Sequence, residues 1–286
     1  MSASFGTRLS EAMRQHGPLC AGIDAHPGLL AEAGMPDTAE SLRRFTGVMT
    51  EAVAGRVAAV KPQSAFFERH GSAGVAVLED LLTDLASAGT ICVLDVKRGD
   101  IGSTMTAYAQ AYLGPDAPLV ADAITISPYL GFGSLTPALT LARESARGAF
   151  VLTLTSNPEG AEVQHRGSPS VAASIVAHVA DHNAAASHGA AGALGHVGLV
   201  IGASQGPVLD TLGLRESVRS SGAPILAPGL GAQGASAAEL AVGFAGLEDR
   251  VLAPVSRGLL SGGVGVDAVR ERTRAFNDEL RASLGI

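Results

Sequence analysis

VLDVKRGDIGST, residues 93–104, runs from an apolar, β-branched stretch straight into Asp95, Lys97 and Asp100. Charged residues make up only 16% of the chain, against roughly 25% in an average domain. Gathering three of them at the end of what reads as a buried strand therefore calls for a reason. Working outward, the same grammar of a short apolar run followed by a longer helical rhythm recurs along the chain. Strands are expected near 19–24, 57–61, 91–97, 120–126, 149–154, 197–201, 224–228 and 251–255. Between them, Leu42, Phe45, Val48, Met49 and Ala52 follow three-four spacing, with Asp37 and Glu40 placed like an N-terminal capping pair and Gly55 like a stop. Val75, Leu78, Leu81, Leu82 and Leu85 repeat the rhythm before Gly89, and Val269, Phe276, Leu280 and Leu284 form a stripe after Asp267, a candidate cap.

Eight near-continuously apolar strands separated by helices imply parallel pairing in a sheet buried on both faces. This α/β pattern fits a closed (β/α)8 TIM barrel, with an open doubly wound sheet as the alternative, since strand count alone does not prove closure. A length of 286 residues suits one such barrel, so residues 1–286 are read as a single domain. The Gly-, Pro- and Ser-rich stretch 156–174 is long for an ordinary connection and marks a functional or mobile loop. The Ala/Gly-rich run 184–195 reads as a loose helix end.

Composition excludes several classes. A formal charge of −7 and a pI near 5.6 argue against a broad nucleic-acid or membrane-surface footprint, while leaving room for a local anion site. No apolar run of 18 residues free of charge or turn signals occurs, and MSASFGTRLSEAMRQHG lacks the apolar middle of a signal peptide. The expectation is a cytoplasmic protein that binds neither nucleic acid nor membrane. Cys20 and Cys92 sit in apolar runs and read as reduced, buried thiols.

In a barrel, functional groups cluster at the C-terminal ends of strands. Strand one ends at Asp24, strand two at Lys61 and strand three at Asp95 and Lys97, so four ionisable groups should share one face. Asp95 and Lys97 are two apart, and strand alternation points both toward the barrel interior. Lys61, Asp95, Lys97 and Asp100 could form an alternating array with zero net charge, the arrangement that makes burial of ammonium groups tolerable. Flanking carboxylates would keep Lys97 protonated, a poor Schiff-base nucleophile but a competent proton donor. An ion-pair network that merely closes the barrel is the plain alternative. Against it stand PGLGAQG (228–234) after strand seven and Ser256-Arg257-Gly258 after strand eight. In barrels these two loops often bind phosphate, with Gly229, Gly231 and Gly234 letting backbone approach the anion.

The run Asp95-Val96-Lys97-Arg98-Gly99-Asp100-Ile101 resembles the D-x-K-x-x-D-I signature of the orotidine 5′-phosphate decarboxylase family, and the resemblance extends from Asp24 to Arg257. TSNPEG after strand five is similar to the longer bacterial branch. The resemblance implies decarboxylation of orotidine 5′-phosphate to uridine 5′-phosphate and CO2, with no cofactor and no metal. It implies that Lys97 delivers a proton to C6 of the pyrimidine, that Asp95 lies beside the leaving carboxylate, and that Lys61 completes the charged array. Asp100, Ile101 and Thr104 match positions contributed across a homodimer interface. Asp24 matches the ribose-binding aspartate, Ser156 the serine on the pyrimidine, and Gln233 with Arg257 the phosphate grip. Shorter members have Gly where this chain has Ser256, and Thr155 and Asn157 flank Ser156 closely enough to exchange roles with it. Rival readings are a metal-dependent sugar-phosphate decarboxylase or aldol-type synthase on the same barrel, and a non-catalytic phosphosugar or nucleotide sensor. Lys61 would repel the divalent cation those enzymes hold, the eight histidines are scattered, and His26 reads as a loop residue.

Overall fold

The computed structural model describes residues 3–186, 194–231 and 234–286. Eight parallel strands close on themselves in sequence order: β1 Leu19–Ile23, β2 Ala59–Pro62, β3 Ile91–Arg98, β4 Ala123–Ile126, β5 Gly148–Leu154, β6 Val197–Ile201, β7 Ile225–Leu226 and β8 Val251–Val255. Pairing of β8 with β1, Leu19 opposite Ala253 and Ala21 opposite Val255, completes the barrel and excludes the open sheet. Strands β1 and β2 are slightly shorter than expected, and β4 and β7 markedly so. Pro224 and Pro228 bracket β7 and supply no N–H to a ladder. Asp122 stands just before β4, where its carboxylate accepts from Arg8 and from the Cys92 N–H.

Helices Ala39–Val53, Gly71–Ser87 and Val266–Leu284 bury most of the anticipated stripes, but Val48, Val75 and Phe276 sit at the edges of theirs and are only half-buried. Two capping expectations are corrected. Thr38, not Asp37, caps the helix at Ala39, its hydroxyl accepting from the Ser41 N–H, and Asp37 pairs with Arg69 and His70 instead. Gly265 occupies the cap position of the last helix, which leaves Asp267 in the first turn, where a carboxylate still faces the positive helix end. The stretch 156–174 is not structureless: it holds a 3-10 turn, Pro158–Gly160, a one-turn helix, Ala161–Gln164, and the start of helix Val171–Ala186. The run 184–195 overlaps that helix end, and its residues 187–193 lie outside the described residues.

Helix Phe5–His16 closes the N-terminal end of the barrel. Phe5, Leu9 and Met13, spaced by four, pack with Cys20, Ile91, Val93, Phe150, Val200, Leu226 and Leu252 from the strands. Phe5 meets Phe150 edge-to-face at a centroid distance of 6.1 Å, the arrangement the aromatic quadrupole favours. Gly148 makes room for it, because a Cβ there would lie 2.3 Å from the Phe5 ring. Ser4 caps this helix and Arg8 reaches Asp122 and the Ala146 carbonyl. This helix was not among the elements expected from the sequence, although Ser4 and the Phe5-Leu9-Met13 spacing offered a signal for it.

Candidate active site

At the opposite end the strands open into a cavity of about 520 Å³. Asp24 follows β1, Lys61 lies on β2, Asp95 and Lys97 on β3, and Thr125 on β4; Thr155, Ser156 and Asn157 follow β5, Pro228–Leu230 follow β7, and Ser256 and Arg257 follow β8. Leu152, Val200, Leu226 and Pro254 form the apolar floor. All the anticipated ionisable groups of β1 to β3 thus share one space.

Asp95 is the hub. Its Oδ1 accepts from Lys97 Nζ at 2.5 Å and from the Thr125 hydroxyl at 2.8 Å, and its Oδ2 accepts from Lys61 Nζ and Gln63 Nε2, both at 3.1 Å. Four donors on one carboxylate occupy its acceptor sites, so Asp95 acts as a fixed negative charge rather than as a base. Burial would raise its pKa, but Lys61 and Lys97, with donors from Lys97 and Thr125, hold it well below the carboxylate range. Lys61 is 5% exposed. Burial pushes against its charge, yet Asp24, with Oδ1 at 3.8 Å, and Asp95 keep its pKa above that of an ordinary lysine. Such a buried array is tolerable only while every partner remains, because deleting one strands the others uncompensated.

Lys97 reaches Asp95 by a route that strand alternation did not foresee. Its backbone sits at φ 46°, a region that non-glycine residues seldom enter. The β3/β4 register also breaks between Leu94 and Arg98, so a bulge, and not a continuing pleat, aims the ammonium at Asp95. Gln63 and Thr125 are the site residues that sequence reasoning missed. Gln63 lies two positions beyond Lys61 and bridges to Asp95, a spacing that offered a signal; Thr125 inside an apolar strand gave none.

On the far wall, Asp24 Oδ2 accepts from Ser256 Oγ at 2.6 Å, whereas its buried Oδ1 has no hydrogen-bond donor among the described residues. Gly22 makes this bond possible, since a Cβ there would lie 1.9 Å from Ser256 Oγ. Thr155, Ser156 and Asn157 all border the cavity. Thr155 is tied to Gln164 and Asn157, and Asn157 to Glu159. The glycine loop is corrected in part: Gly231 and Gly234 donate their N–H groups to Ala235 O and Gly231 O, so they shape a turn instead of presenting both amides to an anion. Gln233 lies outside the described residues. His26 caps the short helix Pro27–Glu32 by accepting from the Gly28 N–H, and its ring meets Phe66 at the cavity edge.

Asp100, Ile101 and Thr104 are not among the residues lining this cavity. Asp100 accepts from the Ile101 N–H, and Ile101 is 62% exposed. Among the described residues no group of three or more His, Cys, Asp or Glu side chains could hold a metal ion, and no helix is long and apolar enough to cross a membrane.

Comparison with known proteins agrees with this geometry. A family profile described as orotidine 5′-phosphate decarboxylase / HUMPS matches residues 17–271. An orotidine 5′-phosphate decarboxylase of Streptomyces coelicolor is 51% identical over 284 residues, covering 98% of each chain. One from Salinispora arenicola is 50% identical over the same length and coverage. The crystal structure of a homologue from Streptomyces avermitilis ma-4680 superposes with TM-score 0.91 at 50% identity, covering 100% of this chain and 98% of that one. With the D-x-K-x-x-D-I run beginning at the end of β3 and continuing into the turn beyond it, at the mouth of a closed barrel, and with identity of this order along almost the whole sequence, the chain belongs to the orotidine 5′-phosphate decarboxylase family.

Proposed function

We infer that this chain decarboxylates orotidine 5′-phosphate to uridine 5′-phosphate and CO2 in pyrimidine synthesis, with residues 1–286 acting as one catalytic unit and Lys97 as the proton donor. The observation that carries the reading is Lys97 Nζ held 2.5 Å from a carboxylate that is itself anchored by Lys61. An ammonium has three hydrogens, and only one is needed for Asp95. As the C6–carboxylate bond breaks, its electron pair remains on C6 and CO2 departs. A Lys97 hydrogen then moves to C6, leaving a neutral amine that regains a proton from solvent. No ring π-system delocalises that pair. A charge fixed in place before the reaction stabilises it without reorganising, which is the most effective form of electrostatic catalysis. Asp95, ionised and unable to accept a proton, repels the substrate carboxylate but not the product.

Asp24 Oδ1 would accept from a ribose hydroxyl, Ser156 would contact the pyrimidine, and Arg257 with Gln233 would hold the phosphate. Binding energy at a phosphate remote from C6 can be used to close loops and exclude water. The chain would work as a homodimer in which Asp100, Ile101 and Thr104 of one subunit complete the site of the other. Their position outside their own cavity supports this, as does the exposure of the apolar Ile101 side chain. The reaction requires no cofactor, and a cytoplasmic setting suits it.

The test is to follow pyrimidine absorbance as purified protein meets orotidine 5′-phosphate, with and without a chelator. Metal-independent conversion is expected. Chelator-sensitive turnover of a sugar phosphate would favour the rival enzymes instead, and binding without turnover would favour a sensor. For the shared site, Lys97→Ala and Asp100→Ala variants, each inactive, should regain activity when mixed; a fully active monomer would exclude it.

A further inference from the structure

The β3/β4 ladder pairs Val93 with Ala123 and Leu94 with Ile124, then resumes only at Arg98 with Ile126. Across the gap, Asp95, Val96 and Lys97 on β3 face a single residue of β4, Thr125. A regular ladder would pair the N–H groups of Val96 and Lys97 with backbone carbonyls. The bulge removes those partners, and buried N–H groups left unpaired are costly. Thr125 Oγ1 takes both, at 3.1 Å from Val96 N and 2.9 Å from Lys97 N. The same hydroxyl lies 2.8 Å from Asp95 Oδ1, and Thr125 is 1% exposed.

A hydroxyl has two acceptor sites and one hydrogen. With both acceptor sites taken by N–H groups, the hydrogen has only the Asp95 carboxylate to go to, so its direction follows from the geometry. Thr125 borders the cavity, yet its hydroxyl has no capacity left for a ligand. One atom therefore joins the two features on which the charge array depends: the left-handed turn at Lys97 and the carboxylate that receives the Lys97 ammonium.

We propose that Thr125 is the positioning residue for proton delivery, its saturated hydroxyl holding the β3 bulge that places the Lys97 ammonium against Asp95 and toward C6. This rests on the decarboxylase reading above. The hydroxyl, more than the side chain's shape, carries the role. Val fills the same volume without the oxygen and orphans two N–H groups; Ser keeps the oxygen and loses a methyl.

The experiment compares the parent, Thr125→Val and Thr125→Ser on orotidine 5′-phosphate, with binding of uridine 5′-monophosphate measured on each. Thr125→Val should lower kcat by about 100-fold, the scale of a misplacement near 1 Å in a reacting group, while KM and nucleotide affinity change little. Thr125→Ser should recover most of the lost kcat. An active parent with an unaffected Thr125→Val, or a Thr125→Ser as impaired as Thr125→Val, would overturn the role of Thr125; an inactive parent would overturn the decarboxylase reading instead. Should Thr125→Val fail to fold, hydrogen exchange on the parent decides. The Val96 and Lys97 amides should be strongly protected, and exchange at the rate of an exposed loop would sink the proposal.

Discussion

The two ends of the barrel are built from the same eight strands and are chemically opposite. At the N-terminal end, Phe5, Leu9 and Met13 drive an apolar plug between the strands, and the layer they meet carries no charge: Cys20, Ile91, Val93, Phe150 and Leu252. Cys20 is fully buried in that layer, and burial pushes its thiol up to about 12, with Lys61 pulling the other way. At the C-terminal end, Lys61 and Asp95 are just as enclosed by protein, but each is answered by an opposite charge. Val200 and Leu226 belong both to the plugged layer and to the cavity floor. The contrast shows what the lower half contributes to the upper. A water-excluding base lowers the effective dielectric beneath the charges, where each Coulombic contact counts for more than it would in solvent.

If the ends divide the labour in this way, function and stability should separate on mutation. The largest effect belongs to Lys97→Ala, which should reduce kcat by more than about 10⁴-fold, since it removes both the acid and the fixed charge. Binding of a phosphate-bearing nucleotide should persist. Steady-state kinetics with titration of uridine 5′-monophosphate checks this, and parental turnover in the variant would remove Lys97 from the chemistry. Phe5→Ala, at the other end, should cost about 3–5 kcal/mol of stability in denaturant unfolding with kcat per folded molecule unchanged; a loss of kcat with unaltered stability would break the comparison. Arg257→Ala should raise KM for phosphorylated ligands about 10- to 100-fold through lost charge-assisted hydrogen bonds, with a smaller change in kcat.

The smallest effect lies outside both ends, at His196, just before β6. Burial, with His182 and Arg143 nearby, lowers its pKa from the ordinary 6.5 to about 4, and neither ring nitrogen has a hydrogen-bond partner among the described residues. Between those values the unfolded chain binds the extra proton and the folded one does not. Its contribution to stability is therefore complete above about pH 6.5 and is lost as pH falls toward 4. Urea unfolding across that range should show a shallower pH dependence in His196→Phe than in the parent, and equal slopes would refute the assignment.

Much of this molecule was legible because its signals are local. Apolar runs report strands through burial on both faces, and all eight appear where expected, with closure supported by their number and alternation with helices. The gathering of Asp24, Lys61, Asp95 and Lys97 followed from knowing which end of each strand they occupy. Helix caps were less legible: Thr38 and Asp37 are adjacent and both can cap, and only the contact of Asp37 with Arg69 and His70 decides between them. The plug formed by Phe5–His16 has a clear helical stripe, but a stripe does not say which surface it will cover.

By itself, the sequence determined the order of elements, a parallel α/β sheet that a closed barrel fits better than an open one, and the set of charges delivered to the C-terminal strand ends, because periodicity and strand-end position are properties of neighbouring residues; closure itself came only with the pairing of β8 and β1. Tertiary structure alone decided how those charges are held. Lys97 meets Asp95 through a bulge that alternation cannot encode, Thr125 from β4 and Gln63, the residue after β2, complete the carboxylate's shell, and Ser256 reaches Asp24 across 232 positions of chain. Hydrogen bonds of that kind depend on distances between segments that only meet when the barrel shuts.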